Sequence, residues 1–302
     1  MANGGRASVE PVYALSLTRE AWEYRRTAYL SRIRPWIEDR LDRSGRGIKH
    51  PVYDFLFEYY SYRPSRLLSW SPGVGVLLEG ARLSGMKWDK SFLEIPNGLL
   101  LNANTFPRNR IQHLDQTIDL LKRVASREPY HGCFGLHEWA MVYRTPDRRH
   151  SRTPLRLSTE CIAGVVEGQG LRCTHFDAFR FFTAAAIPLN RTQLTRRAMG
   201  DHEQAGCIHA TMDLYRYAYM LFPYIESELI AAAFELAVEA RVIDMRASPY
   251  DLKAYGFDPI EIETREGREE YATLQQELTK KSVTLRQTIL ERYEMIRGSV
   301  RV

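Results

Sequence analysis

Apolar residues recur at helical spacing over most of this 302-residue chain. Trp22, Tyr29, Ile33 and Trp36 mark a first helix that runs to about Arg43, capped by Thr18 and open to a kink at Pro35. Ile111, Leu114, Ile118, Leu121 and Val124 mark an amphipathic helix over residues 110–127. Tyr271, Leu274, Leu278, Leu285, Ile289 and Tyr293 line a last long helix from Arg265 to about Met295, capped by Thr264. Residues 206–251 predict two helices joined by a bend at Phe222 and Pro223, a connection short enough to make them antiparallel neighbours. Strands compete at one place: Val165 and Val166 precede a glycine-bearing turn, EGQG, and residues 171–176 complete a hairpin. The stretch 64–106 is rich in Gly, Pro, Asn and Ser and predicts short helices and irregular connections. The expected architecture is mainly α: a flexible arm over residues 1–15, then a single helical domain over 16–302 with a small β hairpin. No repeat of 20 to 50 residues is visible, which argues against a helical solenoid.

Ionisable groups interrupt this apolar pattern in residues 206–251. His209, Asp213 and Tyr217 follow at four-residue steps and share one stripe of a helix. Glu228, Glu235 and Glu239 lie within roughly 20° of a common line on the next helix, beside Ala231 and Ala232, which reads as an alanine-walled acidic face. Such a face, if buried, requires a metal, protons or cations such as Arg241 and Arg246. His50, Asp54 and Glu58 form a second four-residue ladder after Pro51, with His50 as a helix cap in the structural alternative. His175 and Asp177 leave the expected hairpin on one face, and Asp177 is placed to cap a helix through Phe182.

The cysteines, Cys133, Cys161, Cys173 and Cys207, form no CxxC pair, which speaks against a zinc ribbon and a secreted disulfide framework and for a reducing cytoplasm. No apolar run of about 18 residues occurs, so no membrane association is expected. A formal charge of +5, with arginine clusters at 144–152 and 191–197, is weak evidence for nucleic acid.

Imidazole and carboxylate are the ligands of iron, manganese and zinc. His50, His137, His175, His202 and His209 each have an acid within four positions, although ExxH pairs on two helices, HExxH and HxH are all absent. The expected ligand set is therefore His209 and Asp213, joined by Glu235 and Glu239 across the bend and completed by His175 and His50. Tyr217 and Arg241 are expected to act beside the metal, and Asp177 as a catalytic acid. This set implies a divalent-metal enzyme acting on a small molecule, with non-haem iron oxidation as one form of the chemistry. Without a metal, the same groups make an acid–base pair.

The wording of HPVYDFLFEYYSYRP, GCFGLHEWAMVYR, CTHFDAFRFF, GCIHATMDLYRYAY and DMRASPYDL resembles a group of bacterial proteins, frequent in actinobacteria, that carry the label 3-methyladenine DNA glycosylase. The resemblance covers residues 50–252 and implies excision of alkylated purines, hence a hydrolase with nucleic acid as partner. A glycosylase needs an aromatic pocket for a flipped base, an acid such as Asp177 or Asp213, and basic loops such as that around Arg148. The glycine-bearing hairpin and aspartate of helix-hairpin-helix glycosylases are not found in the chain. A third expectation is a non-enzymatic binding or scaffold protein, its acids neutralised by Arg180, Arg241 and Arg246. The sequence is silent on oligomeric state.

Overall fold

Helices carry most of the structure, a computed structural model that describes residues 13–84, 90–147 and 152–300. In chain order they are α1 (Arg19–Gly45), α2 (Phe55–Glu58), α3 (Ile111–Ala125), α4 (Leu136–Ala140), α5 (Thr159–Gln169), α6 (Phe176–Phe179), α7 (Met199–His202), α8 (Ile208–Met220), α9 (Ser227–Arg246) and α10 (Arg265–Ser299). Strands β1 (Leu15–Leu17), β2 (Val76–Glu79), β3 (Phe92–Ile95) and β4 (Gly98–Leu101) form one small sheet in the order β1-β2-β4-β3. The mainly α class follows from the periodic segments. Thr18 and Thr264 cap α1 and α10 as their positions require, accepting from Ala21 N and Gly267 N.

The hairpin lies elsewhere than expected. Residues 159–169 are helical because Ser158 caps the segment, accepting from Cys161 N, and Ile162 and Val166 bury together one turn apart. Gly170, at φ 69°, ends that helix, so EGQG is a helix end and not a hairpin turn. The hairpin is β3–β4, turning at Pro96 and Asn97, in the stretch expected to be irregular. Leu99, Leu100 and Leu101 are all buried, as a strand paired on both sides and covered on both faces demands. At Gly98 a Cβ would stand 1.9 Å from the Leu78 carbonyl oxygen, so only glycine starts this strand. Of the expected arm, residues 1–12 lie outside the described residues, and Leu15 is already paired with Val76. Residues 148–150 of the arginine cluster also lie outside them.

The α8–α9 hairpin sits at the centre, with α10 against both helices, α1 against α9, and α3 against α10. Ala231, Ala233, Ala237 and Ala240 are fully buried, and such small residues let neighbouring helices approach closely. Phe234 joins four elements: its ring meets Tyr215 of α8 at 5.3 Å, Phe57 of α2 at 5.7 Å and Trp36 of α1 at 5.9 Å. Among the described residues no helix is long and apolar enough to cross a membrane.

Candidate functional site

The inner ends of α4, α6, α8 and α9 bring together an unusual concentration of buried ionisable groups. His209 opens α8, and its ring lies between two other imidazoles, 4.4 Å from His137 and stacked at 5.3 Å on His175. Burial, then the neighbouring charges of His137 and His175, push His209 well below the usual histidine range, so its ring is neutral. On either side stand two groups of side chains that could hold a metal ion: His137, His209 and Asp244, and His175, Asp177 and Asp213.

The first group is already neutralised by protein. His137 Nε2 and Asp244 Oδ1 are 2.6 Å apart, and Arg241 Nη1 donates to Asp244 Oδ2 at 2.6 Å and to Glu138 Oε1 at 2.7 Å. Burial alone would discharge His137, but the Asp244 charge and then the Cys133 thiolate hold it well above the ordinary histidine range. Burial likewise opposes a charged Asp244, and the His137 charge and hydrogen bond, with Arg241, overcome it and hold the carboxyl low. Two acids thus face two cations, all nearly inaccessible. On its other nitrogen, His137 Nδ1 meets Cys133 Sγ at 3.4 Å. The Cys133 thiol is pulled well down, first by a hydrogen bond with the Cys173 thiol and then, against burial, by His137.

The second group is compensated less tightly. Asp213 follows His209 by one turn of α8, and His175 leads into α6, which carries Asp177. His175 Nδ1 is 3.2 Å from Glu203 Oε1, and His175 Nε2 is 3.7 Å from Asp213 Oδ2. Neither approach has hydrogen-bond alignment, and His175 Nδ1, Glu203 Oε1, Asp213 Oδ2 and His209 Nδ1 are all buried without a hydrogen-bond partner in the protein. Asp213 Oδ1 accepts from the Tyr60 hydroxyl at 2.8 Å. Half-buried Arg216 reaches Asp177 at 3.3 Å and Asp213 only at 3.8 Å, while Arg180 meets Asp177 from a side chain 40% exposed. Three carboxyls therefore converge on His175, Arg216 and Arg180 through contacts longer than those of the first group. Burial pushes Glu203 up, against the pull of His175, to about 7. The donor atoms of His175, Asp177 and Asp213 all lie within 4.8 Å of one another, whereas ligands on one ion at bonds near ~2.1 Å are at most ~4.2 Å apart.

A cleft of about 640 Å³ opens beside the first group, with Lys49, His50, Phe55, Tyr59, Glu138 and Arg241 among its lining residues. The Arg241 guanidinium lies 4.0 Å over the Phe55 ring, and Phe55 stacks on Tyr59 at 4.8 Å. Burial, then the charges of Asp213 and Asp177, raise the Tyr59 phenol. The segment that follows α2 links the cleft to the acids: Tyr59 lines the cleft and Tyr60 donates to Asp213.

Of the residues anticipated from sequence, His209, Asp213, His175, Asp177 and Arg241 converge here. Tyr217 is buried nearby, its phenol raised by burial and then by Asp213 and Glu203. Glu235 and Glu239 do not converge: they lie on the outer face of α9, bonded to Arg32 at 2.7 Å and Lys281 at 2.6 Å. Glu228 likewise pairs with Arg25 at 3.0 Å. Glu228, Glu235 and Glu239 do share one stripe, but it faces basic side chains of α1 and α10, and the fully buried alanines belong to another face. His50 is a cap, its Nδ1 accepting from Val52 N at 3.3 Å and Tyr53 N at 3.2 Å, and buried Asp54 is taken by Arg43. His50 lines the cleft and not the ligand cluster. The sequence-derived site set omitted His137, Glu203, Asp244 and Cys133. A signal existed for Asp244: with Ala233, Ala237 and Arg241 it continues one inward stripe of α9 at steps of four, four and three. Comparison with protein-family models, with curated proteins and with solved structures finds no match to this chain.

Proposed function

We propose that the protein is a metal-dependent enzyme whose divalent ion is held by His175, Asp177 and Asp213, with Glu203 and His209 adjoining, and which acts on a small molecule admitted by the cleft. One observation carries this reading: buried nitrogen and oxygen atoms of His175, Glu203, Asp213 and His209 converge without hydrogen-bond partners in the protein. An unpaired buried polar atom costs about 1–3 kcal/mol, and more when charged, so several together call for a shared counterpart. A divalent cation supplies one, and imidazole with carboxylate suits iron, manganese or zinc.

When bound, the ion offers Lewis-acid or redox chemistry. The protein's own groups have defined tasks around it. Tyr60 fixes one Asp213 oxygen and leaves the other for the ion. Glu203, poised at about 7, gives or takes a proton next to His175. Phe55 and Tyr59, stacked at 4.8 Å and backed by the buried Arg241 guanidinium, form a flat aromatic wall suited to a small aromatic substrate.

Elemental analysis of protein purified without chelator, followed by titration of the stripped protein with iron, manganese and zinc, tests the proposal. Stoichiometric binding that is lost in His175→Ala and Asp213→Asn, with the helical circular dichroism retained, is the expected result. Undiminished binding in both variants, or none in the parent, overturns it. Release of alkylated purines from duplex DNA by the metal-free protein would point instead to the glycosylase reading.

A further inference from the structure

Three of the four cysteines gather at one place that the proposed metal chemistry does not use. Cys133, Cys173 and Cys207 line a small cavity of about 10 Å³ together with His137, Gln204 and Gln275. Cavities that hold one water are of this size, so hydrogen peroxide, with two oxygens, enters only with a small movement of the lining side chains. Cys133 is half-buried and Cys173 fully buried, while Cys161, by contrast, is exposed on α5.

The surroundings of Cys133 are those of an activated nucleophile. Its sulfur meets His137 Nδ1 at 3.4 Å, and the opposite nitrogen of the same ring meets Asp244 at 2.6 Å, so thiol, imidazole and carboxylate stand in line. The loop that bears it is held in place. Gln204 Oε1 accepts from Tyr130 N at 2.8 Å and from Gly206 N at 2.7 Å, and Gln204 Nε2 donates to the Tyr130 carbonyl at 3.0 Å. Phe134 and Gly135 then turn the chain through the left-handed region, at φ 49° and 73°, into α4 and His137. Cys173 lines the same cavity, its single thiol proton directed to the Cys133 sulfur or to the His175 carbonyl 3.5 Å away.

We propose that Cys133 and Cys173 form a peroxide-reactive dithiol, with Cys133 as the attacking sulfur and Cys173 as its resolving partner. In the first step the Cys133 thiolate attacks one oxygen of hydrogen peroxide. A sulfur–oxygen bond forms, the oxygen–oxygen bond breaks, and the departing hydroxide takes a proton from His137 to leave as water. In the second step the Cys173 sulfur attacks the Cys133 sulfenic acid, a disulfide forms, and the hydroxyl leaves as water with the proton of Cys173. Two thiols lose two electrons and peroxide becomes two waters; an external thiol reverses the change. Because Cys133 is bonded to His137, the disulfide withdraws that sulfur from the buried network and couples the oxidant to the centre of the molecule. The inference does not depend on a bound metal.

The test treats the full chain, stripped of metal, with equimolar hydrogen peroxide, blocks remaining thiols with N-ethylmaleimide and maps the peptides by mass spectrometry. A Cys133–Cys173 cross-link is expected, with Cys161 still alkylated. An ordinary thiol is only a few per cent ionised at neutral pH, so Cys133 should be consumed more than about tenfold faster than Cys161. Cys133→Ser, folded by its melting curve, should give no cross-link, and Cys173→Ser should accumulate a Cys133 sulfenic acid captured by dimedone. Oxidation of Cys161 ahead of Cys133, a cross-link from Cys133 to Cys207, or a lasting sulfenic acid in the parent protein would each overturn the proposal.

Discussion

His137 Nε2 lies 2.6 Å from Asp244 Oδ1 in the most enclosed part of the molecule, with neither side chain more than 2% exposed. The pair joins α4 to α9, and Arg241 on the other Asp244 oxygen ties in Glu138. Replacing Asp244 with Asn leaves two buried cations short of an acid. The expected loss is about 3–5 kcal/mol, read from the urea midpoint at neutral pH. The pH dependence has a definite sign. Asp244 sits below its unfolded value, so its contribution is present at neutral pH and lost as pH falls through the acid range. His137 sits above its unfolded value, so its contribution is complete below about pH 6.5 and lost as pH rises through its higher folded value. Asn at 244 should flatten both limbs.

Glu203 behaves in the opposite sense to an ordinary paired carboxylate. Its folded value of about 7 exceeds the usual 4.5, chiefly because of burial, so its ionisation opposes folding as pH rises between those limits. Above pH 7 the penalty is about 3 kcal/mol. Glu203→Gln in chelator-treated protein should therefore be more stable than the parent at pH 8 and similar to it at pH 4, by denaturant titration at both. An equal effect at the two pH values would contradict the assignment.

The glutamates on the outer face of α9 supply the contrast to the buried acids. Glu235 and Glu239 meet Arg32 and Lys281 with all four side chains about 40% exposed or more. Alanine at either should shift stability by less than about 1 kcal/mol and leave manganese or zinc binding unchanged by calorimetry. Asp213→Asn should weaken the same binding by more than about 100-fold, and Tyr60→Phe, which frees only an outer partner of Asp213, by about 10–100-fold.

Gln204 holds the Cys133 loop with three hydrogen bonds to backbone. Gln204→Ala should cost about 2–4 kcal/mol, since it strands buried backbone groups. It should also speed alkylation of Cys133 and Cys207 while leaving that of Cys161 unchanged.

At the hub of the helices, Phe234→Ala removes a ring packed on Tyr215, Phe57 and Trp36. A loss of about 3–5 kcal/mol in thermal or urea unfolding is expected.

The sequence alone determined the long helices α1, α3, α8, α9 and α10, the caps at Thr18 and Thr264, the α8–α9 pairing, and the four-residue step that puts His209 and Asp213 on one stripe. These follow from local hydrogen bonding and from a 3.6-residue period that is written in the order of residues. It also singled out His175, Asp177 and Arg241. Tertiary structure decided the rest. A period shows that Glu228, Glu235 and Glu239 share a stripe, but only the arginines and lysine of α1 and α10 fix that stripe outward. Val165 and Val166 suit a strand until Ser158 caps a helix through them. His137 meets Asp244 across 107 positions of chain, and Glu203 meets His175 from a different turn. Such pairings are set by the packing of whole elements, whose geometry no short window of sequence contains.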